Sequence, residues 1–353
     1  MIVYIAFASI LVIIAFLGRI CKQSCLLYYV ILFLIAVFTA MRNGIGVDTA
    51  SYQNIYNQVL YGYTGSSHAE IGYIYINKIA AILNSPYVVV QFMTVCLSLT
   101  FLHAFVTYGT DKHEWGFALI VFLCSNLYLS YYCSGVRQGI AVSICLFSSR
   151  YIINRQFLKF LMVIGCAMLF HKSAICFIPG YFIYRKKIKL KYIIAACVVA
   201  YLLAPYVKIC FDIAIGHVTG HYMGYAKLFN GDANAKSGLG VIARVLIWLA
   251  VVLFAHRSIK PDQTKKIIFL NLFIFGVCLY LLNSKVDILN RINEYYLGYL
   301  IVVFTYIFNA FRSNSKPIVY IISCCLILGL FMSFILFVKD AFIPYKMYVG
   351  NFI

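Results

Sequence analysis

Long apolar stretches recur along the whole 353-residue sequence and constrain its fold more than any other feature. A helix needs roughly 20 apolar residues to cross the hydrocarbon core of a bilayer. Apolar residues make up 64% of the chain and charged residues 11%, a balance that no water-soluble core accommodates. The candidate spans are 2–18, 25–41, 87–108, 116–133, 136–152, 157–172, 174–184, 192–210, 238–256, 267–283, 293–311 and 317–338. The sequence therefore predicts one all-α, polytopic membrane domain, 1–353, with about 11–12 transmembrane segments.

The charge distribution fits the same class of protein. The chain carries 29 Lys and Arg against 10 Asp and Glu, for a net charge of +19. Most of these cations flank apolar spans, as the positive-inside rule requires, so we expect a lipid bilayer and no nucleic acid as partner. The basic clusters expected to face the cytoplasm are Arg19/Lys22, Arg150/Arg155/Lys159, Arg185 to Lys191, Arg257/Lys260/Lys265/Lys266 and Arg312/Lys316. The expected location is the cytoplasmic (inner) membrane, with a multi-pass chain.

Helix alternation then requires a break in the middle of the chain. The clusters at 150–159 and 185–191 lie on one side only if the chain turns back between them, which predicts a helix break near His171 to Pro179. Both termini then lie outside, and the long loop 42–86 should hold short interfacial helices. The connections expected on the outer face are 42–86, 134–137, 212–237, 284–292 and the tail 339–353.

Thirteen cysteines raise the question of a metal or disulfide framework. Most lie within apolar runs, where they are expected to be small buried hydrophobic residues. The close pair Cys21 and Cys25 lacks the His or second Cys pair that a zinc site needs. No Asp-x-Asp pair or P-loop occurs either, so we predict neither a metal nor a cofactor.

Two short motifs place an arginine at the outer face. Arg42 opens a stretch with two glycines that allow it to approach Asp48, and Tyr52 follows one helical turn later. Arg137, followed by Gln138, begins a helix, where free N–H groups and the helix dipole attract phosphate. The alternative is an arginine at the lipid headgroups, paired with a nearby carboxylate in the first motif and in a simple turn in the second.

Two further motifs add a histidine and a third arginine. His171 lies at the proposed helix break, where it is either a proton acceptor or simply a polar residue of the break. Arg291 lies one turn from Asp287 and Glu294, so it either faces the site or forms an intrahelical ion pair. Arg244, His217 and His221 are weaker candidates for site residues than those of the four motifs. The charge-derived topology places Arg42, Arg137, His171 and Arg291 on one side, which is the strongest functional signal in the chain.

Several short motifs in this order resemble the EpsG-like family of bacterial polysaccharide polymerases, the Wzy class. They are Arg-x5-Asp-x3-Tyr after the second span, Glu-x-Gly-Tyr at 70–73, Val-Arg-Gln-Gly-Ile-Ala at 136–141, Phe-His-Lys-Ser-Ala at 170–174, Asn-Arg-Ile-x2-Tyr-Tyr at 290–296 and Ile-Pro-Tyr at 343–345. The resemblance runs from about residue 28 to the C-terminus and depends on order and spacing as much as on identity.

The resemblance implies a membrane-embedded, GT-C-like glycosyltransferase that joins undecaprenyl-diphosphate-linked oligosaccharide repeat units at the outer, periplasmic face. On this hypothesis Arg42, Arg137 and Arg291 bind the diphosphate without a metal, since guanidinium pairs bidentately with phosphate. Asp48 and His171 are the candidate proton acceptors, with Asp48 slightly preferred. Residues expected to assist substrate binding are Arg244, Tyr52, Gln138 and Tyr295.

Three other classes of protein remain open at this point. A flippase for the same lipid-linked unit is expected to carry charges through a central cavity, whereas these motifs gather at one side. A glycan ligase shares the substrate and the arginine chemistry but uses a different acceptor. A structural membrane scaffold is disfavoured by the number of outer-face arginines. For a polymerase, a chain-length regulator and a flippase are the expected partners.

Overall fold

A computed structural model describes residues 1–21, 23–62, 69–216, 238–286, 289–337 and 339–348. About 82% of the chain is helical and the described residues contain no strand beyond an isolated bridge, which confirms the predicted all-α class. The α-helices, α1 to α15 in chain order, are Ile2–Ile20, Ser24–Ala40, Thr49–Leu60, Ile71–Ile82, Tyr87–Gly109, Trp115–Leu123, Val136–Ile153, Phe157–Met168, Leu190–Gly216, Gly238–Ser258, Thr264–Leu282, Asn290–Leu297, Leu300–Val303, Lys316–Phe337 and Lys339–Phe342.

Five helices of the described chain are each long and apolar enough to cross a membrane. They are Ile2–Ile20, Tyr87–Gly109, Leu190–Ile213, Thr264–Leu282 and Lys316–Leu336, and a bent helix pair would make a sixth span. Of the other predicted spans, 25–41 and 157–172 correspond to the shorter helices α2 and α8, and 136–152 and 238–256 correspond to α7 and α10. The protein is thus a multi-pass membrane protein, while the total of about 11–12 spans stays a prediction.

The described chain divides into two compact units. Unit 1 comprises Met1–Tyr181 and Phe311–Ile353, and unit 2 comprises Phe182–Ala310. That the two form a single membrane domain stays a prediction. The outer loop predicted at 212–237 begins later than expected, because α9 continues to Gly216, and its remaining residues lie outside the described part of the chain.

Within unit 1, the basic residues Arg19 and Arg150 lie at the end opposite Arg42 and Arg137. At one end, Arg19 in the last turn of α1 forms an ion pair with Glu114, 2.6 Å apart, and Arg150 of α7 donates to the Ala104 carbonyl of α5 at 3.0 Å. The Tyr28 hydroxyl near the start of α2 lies 2.9 Å from Nδ1 of His103, so α2 and α5 run antiparallel. Consequently the end of α2, the start of α5 and the start of α7 lie at the opposite end of this unit.

The break predicted near His171 is confirmed. α8 ends at Met168, and a 3₁₀ helix, Lys172–Phe182, follows with Pro179 inside it. His171 therefore lies in the short connection between two helices. The loop 42–86 likewise contains two short helices, α3 and α4, as predicted, and their position at the membrane interface stays a prediction.

Two predicted spans are interrupted, and whether each crosses the membrane stays a prediction. The expected span 116–133 consists of α6 and a π-helical segment, Tyr128–Ser134, bent by 76° from the helix before it. Ser125 Oγ donates to the Phe122 carbonyl at 2.7 Å, which offers the backbone an alternative to helix continuation. The expected span 293–311 is divided among α12, α13 and a 3₁₀ helix, Phe304–Ala310.

Candidate functional site

The loop after α2 packs against the π-helical segment that precedes Arg137. Gly46 has φ +103°, and a Cβ atom there would overlap the carbonyl oxygen of Cys133. The Val47 N–H donates to Ser134 Oγ at 2.9 Å. The glycine therefore allows the loop to lie directly against the turn from which α7 begins.

Gly46 and Gly44 offer a matched test of this packing. Both have positive φ, but a Cβ atom at Gly44 would meet nothing within 4 Å. We expect Gly46→Ala to lower the free energy of unfolding well beyond the about 1–3 kcal/mol that backbone strain alone costs, whereas Gly44→Ala should show strain only. Thermal unfolding of both variants in the same detergent would measure this. Equal losses would contradict the close approach to Cys133.

Arg42 is buried where this loop packs against the π-helical segment, and it is 2% exposed. Its Nε donates to the Cys133 carbonyl at 3.1 Å and its Nη1 donates to the Thr39 carbonyl. The C-terminal segment covers it, since Arg42 forms an antiparallel bridge with Met347, and the Tyr345 ring stacks on Phe38 at 4.4 Å. Arg42 thus stabilises the backbone here, and its predicted contact with a diphosphate stays a prediction that this burial does not favour.

Glu70, Arg137 and His171 form the central feature of unit 1, here called the Glu70 cluster. Nη1 of Arg137 pairs with one carboxylate oxygen of Glu70, and Nδ1 of His171 lies 3.1 Å from the other. The side chain of Glu70 is 10% exposed, whereas those of Arg137 and His171 are 26% and 22% exposed. The carboxylate therefore lies beneath an arginine and a histidine that remain accessible.

A second glycine brings Glu70 to His171. Glu70 immediately precedes α4, and the Gly72 N–H donates to the Leu169 carbonyl at 2.8 Å. A Cβ atom on Gly72 would lie 2.8 Å from that same oxygen. The start of α4 consequently rests on the end of α8, two residues before His171.

The ionisation of Glu70 is fixed by its two partners. Burial raises the pKa of this carboxyl, but the hydrogen bond with His171 and the charge of Arg137 lower it more, to about 2. Glu70 is therefore a carboxylate at neutral pH. Sequence reasoning quoted Glu70 within a motif but did not count it among the site residues, although a lone acid just before an apolar helix indicates a partner.

Arg137 also has the properties of a ligand-binding group. Its Cζ lies 5.6 Å from the centroid of the buried Tyr52 ring, which is a cation–π contact. Burial raises the pKa of Tyr52 more than Arg137 lowers it, so the hydroxyl stays protonated. The Nε atom of Arg137 is buried and has no hydrogen-bond partner in the described chain. An unpaired buried donor costs about 1–3 kcal/mol, which a bound acceptor would offset.

A run of tyrosines connects Arg137 with Arg42. The rings of Tyr52 and Tyr73 lie 5.2 Å apart, and the Tyr73 hydroxyl interacts electrostatically with that of Tyr87. Arg42 is within electrostatic range of the Tyr87 hydroxyl. The two arginines predicted from separate motifs therefore lie on one network at the same end of unit 1.

The remaining predicted residues of unit 1 are placed as follows. Asp48 is partly exposed just before α3, one turn from Tyr52, and its side chain forms no hydrogen bond or ion pair with any described residue. Gln138 is buried in the first turn of α7 beside Arg137. The structure thus joins His171, but not Asp48, to a charged partner, and the role of each stays a prediction.

Unit 2 holds the other predicted residues. Arg291 is exposed in the first turn of α12, and Tyr295 of the same helix is fully buried. Nη1 of Arg244, in α10, lies 3.4 Å from the Tyr280 hydroxyl. Asp287, His217 and His221 lie outside the described residues. The roles proposed for these residues stay predictions.

Comparison with known proteins gives one result. The model of the EpsG family matches residues 25–347, which is nearly the whole chain. No curated protein and no solved structure matches. The match begins just inside α2 and ends in the C-terminal segment that covers Arg42, so it includes every residue of the Glu70 cluster.

Proposed function

The chain belongs to the EpsG family, and from this premise we propose that it polymerises oligosaccharide repeat units carried on undecaprenyl diphosphate. Family membership supports a glycosyltransferase-like enzyme of polysaccharide biosynthesis. The finer proposal is that the growing chain leaves its lipid diphosphate and is joined to the next lipid-linked unit at the outer face of the cytoplasmic membrane. The observation that carries it is the Glu70 cluster, which combines an anion-binding group with a proton acceptor.

Arg137 is the proposed diphosphate ligand. When the glycosidic bond to the diphosphate breaks, the leaving group gains negative charge, and a fixed guanidinium stabilises that charge most in a partly dry site. The buried Nε donor and the partly exposed side chain of Arg137 support this role. Tyr52 holds the guanidinium from one face and Glu70 holds it from Nη1.

His171 is the proposed general base, with Glu70 as its positioning residue. In the tautomer whose Nδ1–H donates to the Glu70 carboxylate, Nε2 is free to accept a proton. The acceptor hydroxyl attacks the anomeric carbon of the donor sugar and its proton passes to Nε2 of His171. The bond from that carbon to the diphosphate oxygen breaks, and the diphosphate leaves with the electron pair. This replaces Asp48, the acceptor slightly preferred from sequence alone, by the residue that has an orienting partner.

Deletion of the gene in the native host tests the function directly. Loss of a polymerase should leave surface glycan as single repeat units, without a ladder of longer chains. Loss of a flippase should instead leave lipid-linked units on the cytoplasmic side, and loss of a ligase should leave long chains on their lipid carrier. A gel of the surface glycan, with the lipid-linked fraction analysed in parallel, separates the three outcomes. Either of the last two would overturn the proposal.

A further inference from the structure

Two basic segments of unit 2 form one surface, here called the basic patch. Residues 185–191 and 256–266 together contain nine Lys and Arg and one acid, Asp262. Lys187 Nζ donates to the Ile259 carbonyl at 2.8 Å, and Nε2 of His256 lies 2.9 Å from the Ile188 carbonyl. The patch is thus assembled by specific contacts between the segment before α9 and the end of α10.

A buried amide fixes the first of these segments. Asn271 of α11 is 2% exposed, and its Nδ2 donates to the carbonyls of Tyr184 at 2.7 Å and Lys186 at 3.0 Å. Because an unpaired buried amide is costly, this double contact holds the chain in place. Lys189, three residues after Lys186, is exposed at the surface.

An apolar groove of about 340 Å³ begins directly beneath the basic patch. Its lining is entirely apolar and comes from the first turns of α9, including Leu190 and Ile194, and from α10, including Leu246, Ala250 and Leu253. Ile194, Leu246 and Ala250 are exposed. The groove is therefore open to the lipid beside these two helices.

One stripe of α10 connects the groove with the patch. Leu246, Ala250 and Leu253 recur at the spacing of one helix face, and Arg257 is the next residue on that face, one turn beyond Leu253. Arg257 is exposed and has no ion-pair partner within the described chain. An apolar groove thus ends at a cation on the same stripe, and the contact between His256 and the Ile188 carbonyl brings the start of α9, with Lys189, to this end of the groove.

We propose that this groove and the basic patch form a binding site for an anionic phospholipid. One acyl chain lies in the groove between α9 and α10, and the headgroup phosphate binds Arg257 and Lys189. The occupant is a bilayer phospholipid because the groove opens to the lipid and its cations lie where three apolar helices end or begin, at the depth of headgroups. This site is independent of the Glu70 cluster and of the polymerase proposal.

Lipid titration of the purified full-length protein, followed by native mass spectrometry, tests the headgroup contact. The probes are phosphatidylglycerol and phosphatidylcholine with identical acyl chains. We expect the unmodified protein to bind one phosphatidylglycerol in preference, and the pair Arg257→Gln and Lys189→Gln to weaken that binding about tenfold. The control pair Lys112→Gln and Lys159→Gln removes two exposed cations of unit 1 and should leave the preference intact. Equal binding of both lipids, or an equal loss in the control pair, would overturn the proposal.

Filling the groove tests the acyl-chain contact without touching a charge. Ala250 lines the groove and is exposed, so Ala250→Phe occupies space there without disturbing the core. Ala195 is exposed on another face of α9 and does not line the groove, so Ala195→Phe is its matched control. We expect only Ala250→Phe to weaken phosphatidylglycerol binding, by about tenfold. Unchanged binding in a folded Ala250→Phe protein, verified by circular dichroism, would show that the groove holds no chain.

Discussion

Replacing Arg137 with alanine should abolish the glycan ladder and leave single repeat units at the cell surface. The variant removes the donor proposed to stabilise the departing diphosphate, and the loss of one such preorganised group lowers the rate by roughly 10²–10³-fold. It also leaves the Glu70 carboxylate without its cation, so a matched control must separate chemistry from ion-pair loss. The measurement is the ladder in the deletion host, at equal amounts of membrane protein.

Arg19→Ala is the matched control for Arg137→Ala. Arg19 pairs with Glu114 at the other end of unit 1, and the exposed fractions of the two side chains, 20% and 14%, are close to those of Arg137 and Glu70. Both substitutions break a partly buried Arg–carboxylate pair, but only one lies at the proposed site. We expect Arg19→Ala to retain the ladder.

Arg137→Lys should give shorter chains than the unmodified protein, because lysine keeps the charge and loses the planar donor fork. A full ladder in Arg137→Ala at normal protein level would refute the proposed role of this arginine.

Removing either member of the Glu70–His171 pair should reduce polymerisation by about 10²–10⁴-fold, the usual contribution of a general base. His171→Gln removes the proton acceptor, and Glu70→Gln keeps the shape of the side chain but loses the charge that orients the imidazole. Because the two residues act as one unit in the proposed mechanism, the double variant should be no slower than the slower single variant. Initial rates of chain extension in membrane vesicles measure all three variants.

Asp48→Asn decides between the two proton acceptors that the sequence left open. If His171 is the base, this variant should keep most of the rate, since Asp48 has no charged partner among the described residues. A rate loss for Asp48→Asn as large as that for His171→Gln would return the role to Asp48. Strictly additive losses in the Glu70 and His171 variants would contradict the orienting role of Glu70.

The helix break at His171 and the helices within 42–86 were predictable because each depends on a few neighbouring residues. Pro179 and the polar step at 171–173 end an apolar run locally, and the alternation of basic clusters requires a turn there. The interruption of 116–133 was not predictable from hydropathy. The apolar content of residues 116–133 suits a span, while the bend within them depends on local side-chain hydrogen bonds such as that of Ser125.

The candidate site was predictable in part. Charge counting places Arg42, Arg137 and His171 at one side, and the structure brings all three to the same end of unit 1. Charge counting does not show that Glu70 lies between Arg137 and His171, because those contacts join residues 67 and 101 positions apart. Nor does charge counting distinguish a buried arginine that binds carbonyls, as Arg42 does, from a partly exposed one that is able to bind a ligand.

The sequence by itself determined that this chain is a multi-pass helical membrane protein, where its apolar runs break, and which motifs it shares with a family of polysaccharide polymerases. These properties follow from composition and order, since the free energy of placing a segment in lipid is a sum over its own residues. Only the tertiary structure decided that a single carboxylate holds Arg137 and His171 together, and that the basic ends of α9 and α10 lie above an apolar groove. Those outcomes depend on contacts between residues that are far apart in sequence, such as the close backbone approach of Gly72 to Leu169. The preferences of neighbouring residues do not predict such contacts.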